Sequence, residues 1–75
     1  MRKILLDTNA YTNLLSGNED ILDTIVMADI VYMSIFVLGE LHAGFAGGVK
    51  KAENEATLHD FLMRSTVKTL NATSE

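Results

Sequence analysis

Two short, continuous runs of apolar residues constrain this chain more than any other feature of its sequence. The first run covers residues 3–6 and is apolar from Ile4 onward, and the second, at residues 30–33, contains β-branched side chains. Neither run alternates with polar residues, which is typical of strands buried on both faces of a parallel sheet. Residues 68–70 predict the beginning of a third strand. We therefore expect a short parallel sheet.

The segments between these runs have helical patterns. Residues 11–16 predict one or two helical turns, and Ser34 is expected to cap a helix over residues 35–45. That helix is apolar almost all round, which predicts that it is buried. Residues 51–64 predict another helix. Asn18 is expected to cap a helix whose apolar stripe is formed by Ile21, Leu22, Ile25 and Val26. Strands that alternate with helices indicate an α/β fold, here a short parallel sheet flanked by helices.

Composition limits the size and the environment of the protein. Seventy-five residues form at most one domain, and so small a domain has marginal stability. Cysteine is absent, which excludes disulfides and thiolate metal sites and fits a cytoplasmic location. The longest apolar run is too short for a signal peptide or a membrane span, so we expect no membrane association. The net charge of −4 argues against a broad basic surface for nucleic acids, but it is compatible with a metal-dependent nuclease.

Asp7 and Glu40 are the strongest candidates for a functional site. Asp7 follows the first predicted strand, at the edge of the sheet where α/β proteins bind ligands. Glu40 lies within the most apolar helix, where a buried carboxylate is costly unless it is paired or bound to metal. The alternatives are that Asp7 only caps a helix, and that Glu40 is exposed on a polar strip. Glu40 and His42 point about 200° apart on a helix, which favours a functional Glu40.

The other ionisable residues have simpler explanations. His42 is expected to be partly buried and hydrogen-bonded, and His59 to pair with Glu55 one helical turn earlier. The remaining acidic side chains are interpreted as first-turn charges or as the solvated face of the last helix, and these are Glu19, Asp20, Asp23, Glu53, Glu55 and Asp60. We expect none of them to bind a metal.

Two motifs resemble those of the PIN-domain ribonucleases, in particular the VapC-type toxins of toxin–antitoxin systems. Residues 4–11, Ile-Leu-Leu-Asp-Thr-Asn-Ala-Tyr, are similar to the first motif, a hydrophobic strand followed by an Asp-Thr-Asn turn. Residues 34–41, Ser-Ile-Phe-Val-Leu-Gly-Glu-Leu, resemble the second, an apolar helix that bears a Glu. Residues 67–75 resemble the strand and turn before a third acidic motif. The resemblance implies that residues 1–75 are the N-terminal part of a single, truncated PIN domain.

The resemblance also implies an activity. Such a protein hydrolyses RNA phosphodiesters with Mg²⁺ or Mn²⁺ and is paired with an antitoxin protein. Asp7 and Glu40 would be the metal ligands and, with Thr8, the catalytic residues. The Thr8 hydroxyl would hold the Asp7 carboxylate or a water at the metal, whereas Asn9 would form the turn. The family has further acidic residues on later helices, which these 75 residues do not contain.

Two alternatives remain at this point. The first is a non-catalytic, truncated PIN module whose exposed apolar faces drive homo-oligomerisation, such as dimer formation, or antitoxin binding. The second is an unrelated small α/β domain in which Asp7 simply caps a helix.

Overall fold

Residues 1–70 are described by a computed structural model of the chain, in which three strands alternate with pairs of helices. In chain order, the elements are β1 (Lys3–Leu5), α1 (Thr8–Leu15), α2 (Glu19–Met27), β2 (Ile30–Ser34), α3 (Ile35–Ala46), α4 (Lys51–Leu62) and β3 (Val67–Leu70). The strands form one parallel sheet in the order β1-β2-β3. The α/β fold that the sequence predicts is thus confirmed. The turn expected after β3 falls on residues 71–75, outside the described residues.

Side-chain caps start the first three helices. The Asp7 carboxylate accepts a hydrogen bond from the backbone N–H of Ala10, with 2.8 Å between Oδ1 and N. The side chains of Asn18 and Ser34 cap α2 and α3 in the same way, as the sequence predicts. Helix α1 begins at Thr8, earlier than predicted, because the cap at Asp7 allows helical geometry immediately after the strand.

The two faces of the sheet have different surroundings. Alternate residues of a strand point to opposite faces, and the register aligns Ile4, Val31 and Val67 on one of them. Val31 and Met33 on that packed face are fully buried. The opposite face, called the open face below, is formed by Lys3, Leu5, Ile30, Tyr32, Ser34, Lys68 and Leu70.

The helices lie together on the packed face. Both crossovers run in the same direction across the sheet, and right-handed crossovers of that kind place their helices on the same side. The ring of Tyr11 in α1 packs against the ring of Phe61 in α4, with centroids 5.5 Å apart and planes at 62°. Helix α1 also contacts α3. The buried core between sheet and helices is formed by Leu6, Tyr11, Ile25, Ala28, Val31, Met33, Leu41, Phe45, Leu58, Phe61 and Val67.

This one-sided arrangement corrects two predictions about burial. The strands were expected to be buried on both faces, but Leu5 in β1 is 66% exposed. Helix α3 was expected to be buried all round, but Phe36 is 72% exposed. The predicted stripe on α2 is also only partly buried, since Ile25 is in the core and Val26 is exposed. The apolar pattern of a sequence shows which surfaces can be buried. Here the helices form a single layer, so they cover one face of the sheet and bury only one side of each helix.

None of the helices within residues 1–70 has the length and apolar character needed to cross a membrane. The longest helices contain 12 residues, whereas a helical span of the bilayer core needs about 20.

We expect that replacing Tyr11 by phenylalanine stabilises the protein. The Tyr11 hydroxyl is buried and has no hydrogen-bond partner among residues 1–70. An unsatisfied buried hydroxyl is unfavourable, so Tyr11→Phe should raise the free energy of unfolding by about 1 kcal/mol. Urea-induced unfolding measures the change. Tyr32→Phe on the open face is the matched control and should have almost no effect. An equal or lower stability of Tyr11→Phe would show that the hydroxyl is satisfied in solution.

Candidate functional site

Asp7 lies where β1 ends and α1 begins. Its side chain is exposed, and its Oδ1 atom caps α1 through the N–H of Ala10. Within the described residues, its second oxygen, Oδ2, makes no hydrogen bond with the protein. The sequence alternatives for Asp7 therefore do not exclude one another, because one oxygen caps the helix while the other remains available to a ligand.

The side chain of Glu40, which belongs to α3, lies beside Thr8 at the start of α1. The Thr8 hydroxyl donates a hydrogen bond to its Oε1 atom. The partner of Thr8 is thus Glu40, whereas the resemblance implied the Asp7 carboxylate or a water. The sequence left Glu40 either buried or exposed on a polar strip. Glu40 is exposed, because it lies on the part of α3 that neither the sheet nor the other helices cover.

A surface cavity of about 340 Å³ brings these side chains together. Asp7, Thr8, Asn9, Val37 and Glu40 line it. We call it the acidic cavity. From the sequence, Asn9 was interpreted only as a turn former. Its position in the Asp-Thr-Asn motif was the sequence signal that could have placed it at the cavity. The cavity offers carboxylate, hydroxyl and amide oxygens, which are the donors that Mg²⁺ prefers when waters complete its coordination.

The acidic cavity contains two carboxylates. Among residues 1–70, no three or more His, Cys, Asp or Glu side chains are placed to hold a metal ion together. In the same part of the chain, no other acidic side chain lines the cavity. The donor set fits a weakly held, largely hydrated cation.

The His42 imidazole in α3 contacts the Glu55 carboxylate in α4. Its Nδ1 atom lies 2.7 Å from Oε1 of Glu55 in α4. The sequence predicted that Glu55 would pair with His59 within α4, and this prediction is wrong because α3 packs beside α4 and presents a nearer partner. His42 is also exposed, although it was expected to be partly buried. Neither residue lines the acidic cavity.

A second cavity of about 450 Å³ lies between α1, α2 and α4. We call it the helical groove, and its lining residues are Tyr11, Leu14, Leu15, Leu22, Ile25, Thr57, Asp60, Phe61 and Arg64. Burial raises the pKa of the Tyr11 hydroxyl above its ordinary value. Sequence reasoning missed the groove because three helices that are separate in sequence form it.

Comparison with solved structures identifies a similar fold. The chain superposes, with a TM-score of 0.69 and 23% sequence identity, on a chain in the crystal structure of VapBC2 from Rickettsia felis bound to a DNA fragment from their promoter. Our chain shares its fold with this VapBC2 chain. The match covers 92% of our chain and 54% of the VapBC2 chain, so our chain spans about half the length of that neighbour. No sequence model of a protein family matches the chain, and no curated protein matches it either.

Proposed function

We propose that this chain is the N-terminal part of a Mg²⁺- or Mn²⁺-dependent endoribonuclease of the VapC toxin type. The observation that carries the proposal is that Asp7, Thr8 and Glu40, which the resemblance had singled out, line one cavity. They come from two elements far apart in sequence, and the cavity lies beyond the carboxyl end of β1, where ligands of α/β sheets bind.

The VapBC2 likeness supports the proposal at the level of the fold. It does not distinguish the toxin from the antitoxin, so our assignment to the toxin rests on the acidic motifs. Residues 1–75 then correspond to the first part of a PIN domain, and a cytoplasmic antitoxin would be the protein partner of the full toxin.

Each residue of the acidic cavity has a role in this proposal. Asp7 would bind the cation with Oδ2, while its Oδ1 atom keeps the carboxylate in place by capping α1. Thr8 orients the Glu40 carboxylate through its hydroxyl, which leaves the second oxygen of Glu40 for the cation. The chemistry that a bound cation supplies is polarisation of the RNA phosphoryl group and stabilisation of the charge that develops there. Phosphodiester hydrolysis commonly uses more ligands than two carboxylates, so cleavage by residues 1–75 alone should be slow.

Cation binding and RNA cleavage, measured in parallel, test the proposal. We expect Mn²⁺ to broaden the NMR signals of Thr8, Asn9 and Glu40 first, and RNA cleavage to depend on Mg²⁺ or Mn²⁺ and to stop with EDTA. Glu40→Gln should weaken Mn²⁺ binding at least about tenfold, because the variant loses a charged ligand but keeps the oxygen that accepts from Thr8. Glu53→Gln on α4 is the matched control. Equal Mn²⁺ affinity in both variants would contradict the proposal.

A second candidate function is binding of a protein partner without catalysis. The helical groove favours it, because Leu15 and Leu22 are exposed along a largely apolar cleft. Such a surface suits a helix or an extended segment of an antitoxin, or of a second copy in a homo-oligomer. The same experiment separates the two functions: an absence of Mn²⁺ binding at the acidic cavity would favour the non-catalytic module.

A further inference from the structure

Asn9 gives the acidic cavity a chemistry that its carboxylates do not have. The residue lies in the first turn of α1, is exposed, and lines the cavity together with Asp7 and Glu40. An asparagine side chain carries an acceptor oxygen and an NH₂ group with two protons to donate, whereas an ionised carboxylate only accepts. Asn9 is therefore able to contact either a cation or an anionic substrate.

The other side chains that line the cavity have no proton left to donate. Asp7 and Glu40 offer acceptors only, and Val37 has no polar side-chain atom. The Thr8 hydroxyl donates its one proton to Glu40. The contact from Thr12 goes to the main-chain carbonyl of Asn9, with 2.9 Å between the oxygens, and does not involve the side-chain amide. Among the lining residues that the structure describes, the Asn9 amide is thus the remaining side-chain donor.

An RNA phosphate requires such a donor. Its non-bridging oxygens are negatively charged and accept hydrogen bonds, and the carboxylates of the cavity repel them. Proteins contact phosphate oxygens with Asn side chains as well as with Arg and Lys. Within residues 1–70, neither Lys nor Arg lines the cavity, so the Asn9 amide is the lining side chain that can contact a phosphate directly.

We propose that Asn9 donates a hydrogen bond from its side-chain amide to a phosphoryl oxygen of the RNA, and that it binds substrate and not the cation. This inference rests on the proposed function, because it takes the acidic cavity as the site of the scissile phosphate. The lining residues then divide by what they contact: Asp7 and Glu40 hold the cation, and Asn9 holds the substrate.

Asn9→Asp should change the affinities for cation and RNA in opposite directions. The substitution replaces the amide donor by a charged acceptor of nearly the same shape. Mn²⁺ gains a possible ligand and should bind at least as tightly as it binds to the parent. A fluorescein-labelled octauridine, measured by fluorescence anisotropy in Mg²⁺, should bind at least about tenfold more weakly, because its phosphate loses a donor and meets a further negative charge. Aspartate is favourable in the first turn of a helix, so the variant should remain folded.

Asn9→Leu distinguishes a substrate contact from a cation ligand, because it removes the amide without adding charge. Its Mn²⁺ affinity, measured by calorimetry, should equal that of the parent, while octauridine should bind about tenfold more weakly, as expected for a lost hydrogen bond to a charged group. Asn13→Asp and Asn13→Leu are the matched controls, since Asn13 is exposed on the same helix and does not line the cavity. Both controls should match the parent in both affinities, and urea-induced unfolding checks that all variants are folded.

Three results would overturn the inference. Weaker Mn²⁺ binding by Asn9→Leu would make Asn9 a cation ligand. Octauridine affinities of both Asn9 variants that equal the parent's, or no Mg²⁺-dependent octauridine binding by the parent, would exclude the phosphate contact. In each case Mn²⁺ binding that still depends on Glu40 would leave the proposed metal site standing, whereas loss of Mn²⁺ binding by the parent itself would mark failure of the proposed nuclease.

Discussion

Phe61→Ala is expected to remove most of the free energy of unfolding of the protein at 25 °C. Phe61 is only 7% exposed, and its ring packs edge-on against the ring of Tyr11. The guanidinium carbon of Arg64 lies 6.0 Å from the centre of the Phe61 ring. Truncating a buried phenylalanine costs about 3–5 kcal/mol, through lost burial and the cavity left behind. A domain of this size has a free energy of unfolding near the lower end of about 5–15 kcal/mol. The loss caused by the substitution is therefore comparable with the total free energy of unfolding.

Phe36→Ala is the matched control for this substitution. It makes the same chemical change in a helix, but Phe36 is exposed, and its removal should change the free energy of unfolding by less than about 0.5 kcal/mol. Phe61→Leu should fall between the two, because leucine refills part of the volume. Circular dichroism during urea unfolding measures all three. Similar midpoints for Phe61→Ala and Phe36→Ala would mean that α4 does not pack against α1 as described.

A series of substitutions at Asp7 separates its structural role from its proposed chemical role. Asparagine and serine are good helix N-caps, so Asp7→Asn and Asp7→Ser should keep the stability of the parent within a few tenths of a kcal/mol. Asp7→Ala removes the hydrogen bond to Ala10 and should cost about 1 kcal/mol. All three variants lose the negative charge, so we expect each to lose about 100-fold or more in Mn²⁺ affinity, together with any metal-dependent RNA cleavage.

The pattern across the Asp7 series decides between the two roles. If Asp7→Asn and Asp7→Ser bind Mn²⁺ as tightly as the parent, Asp7 is a cap and nothing more, and the nuclease proposal fails. Asp23→Asn on α2 controls for the loss of one negative charge, because Asp23 is exposed and does not line the acidic cavity. This variant should match the parent in stability and in Mn²⁺ affinity.

Local signals explain why the elements were predictable. The caps at Asn18 and Ser34 act through hydrogen bonds to N–H groups three residues later, and such contacts depend only on neighbouring sequence. The apolar runs at residues 3–6 and 30–33 predicted β1 and β2, because continuous apolar character is typical of parallel strands. The candidate site followed from the same reasoning, since Asp7 comes directly after a strand.

Contacts between distant elements explain what the sequence could not show. The pairing of His42 with Glu55, the meeting of Thr8 with Glu40, and the helical groove each depend on how α1, α3 and α4 pack. Helical periodicity places residues relative to their own helix and carries no information about the neighbouring one. For this reason the predicted pair between Glu55 and His59 was wrong.

The sequence by itself therefore determined the order of strands and helices, the α/β class, and the two carboxylates that belong to the candidate site. The tertiary structure alone decided that all four helices lie on one side of the sheet, and that Glu40 is exposed next to Thr8 while Leu5 remains uncovered on the open face. The physical reason is that capping and periodicity are local interactions, whereas burial depends on which surfaces the whole chain can bring together.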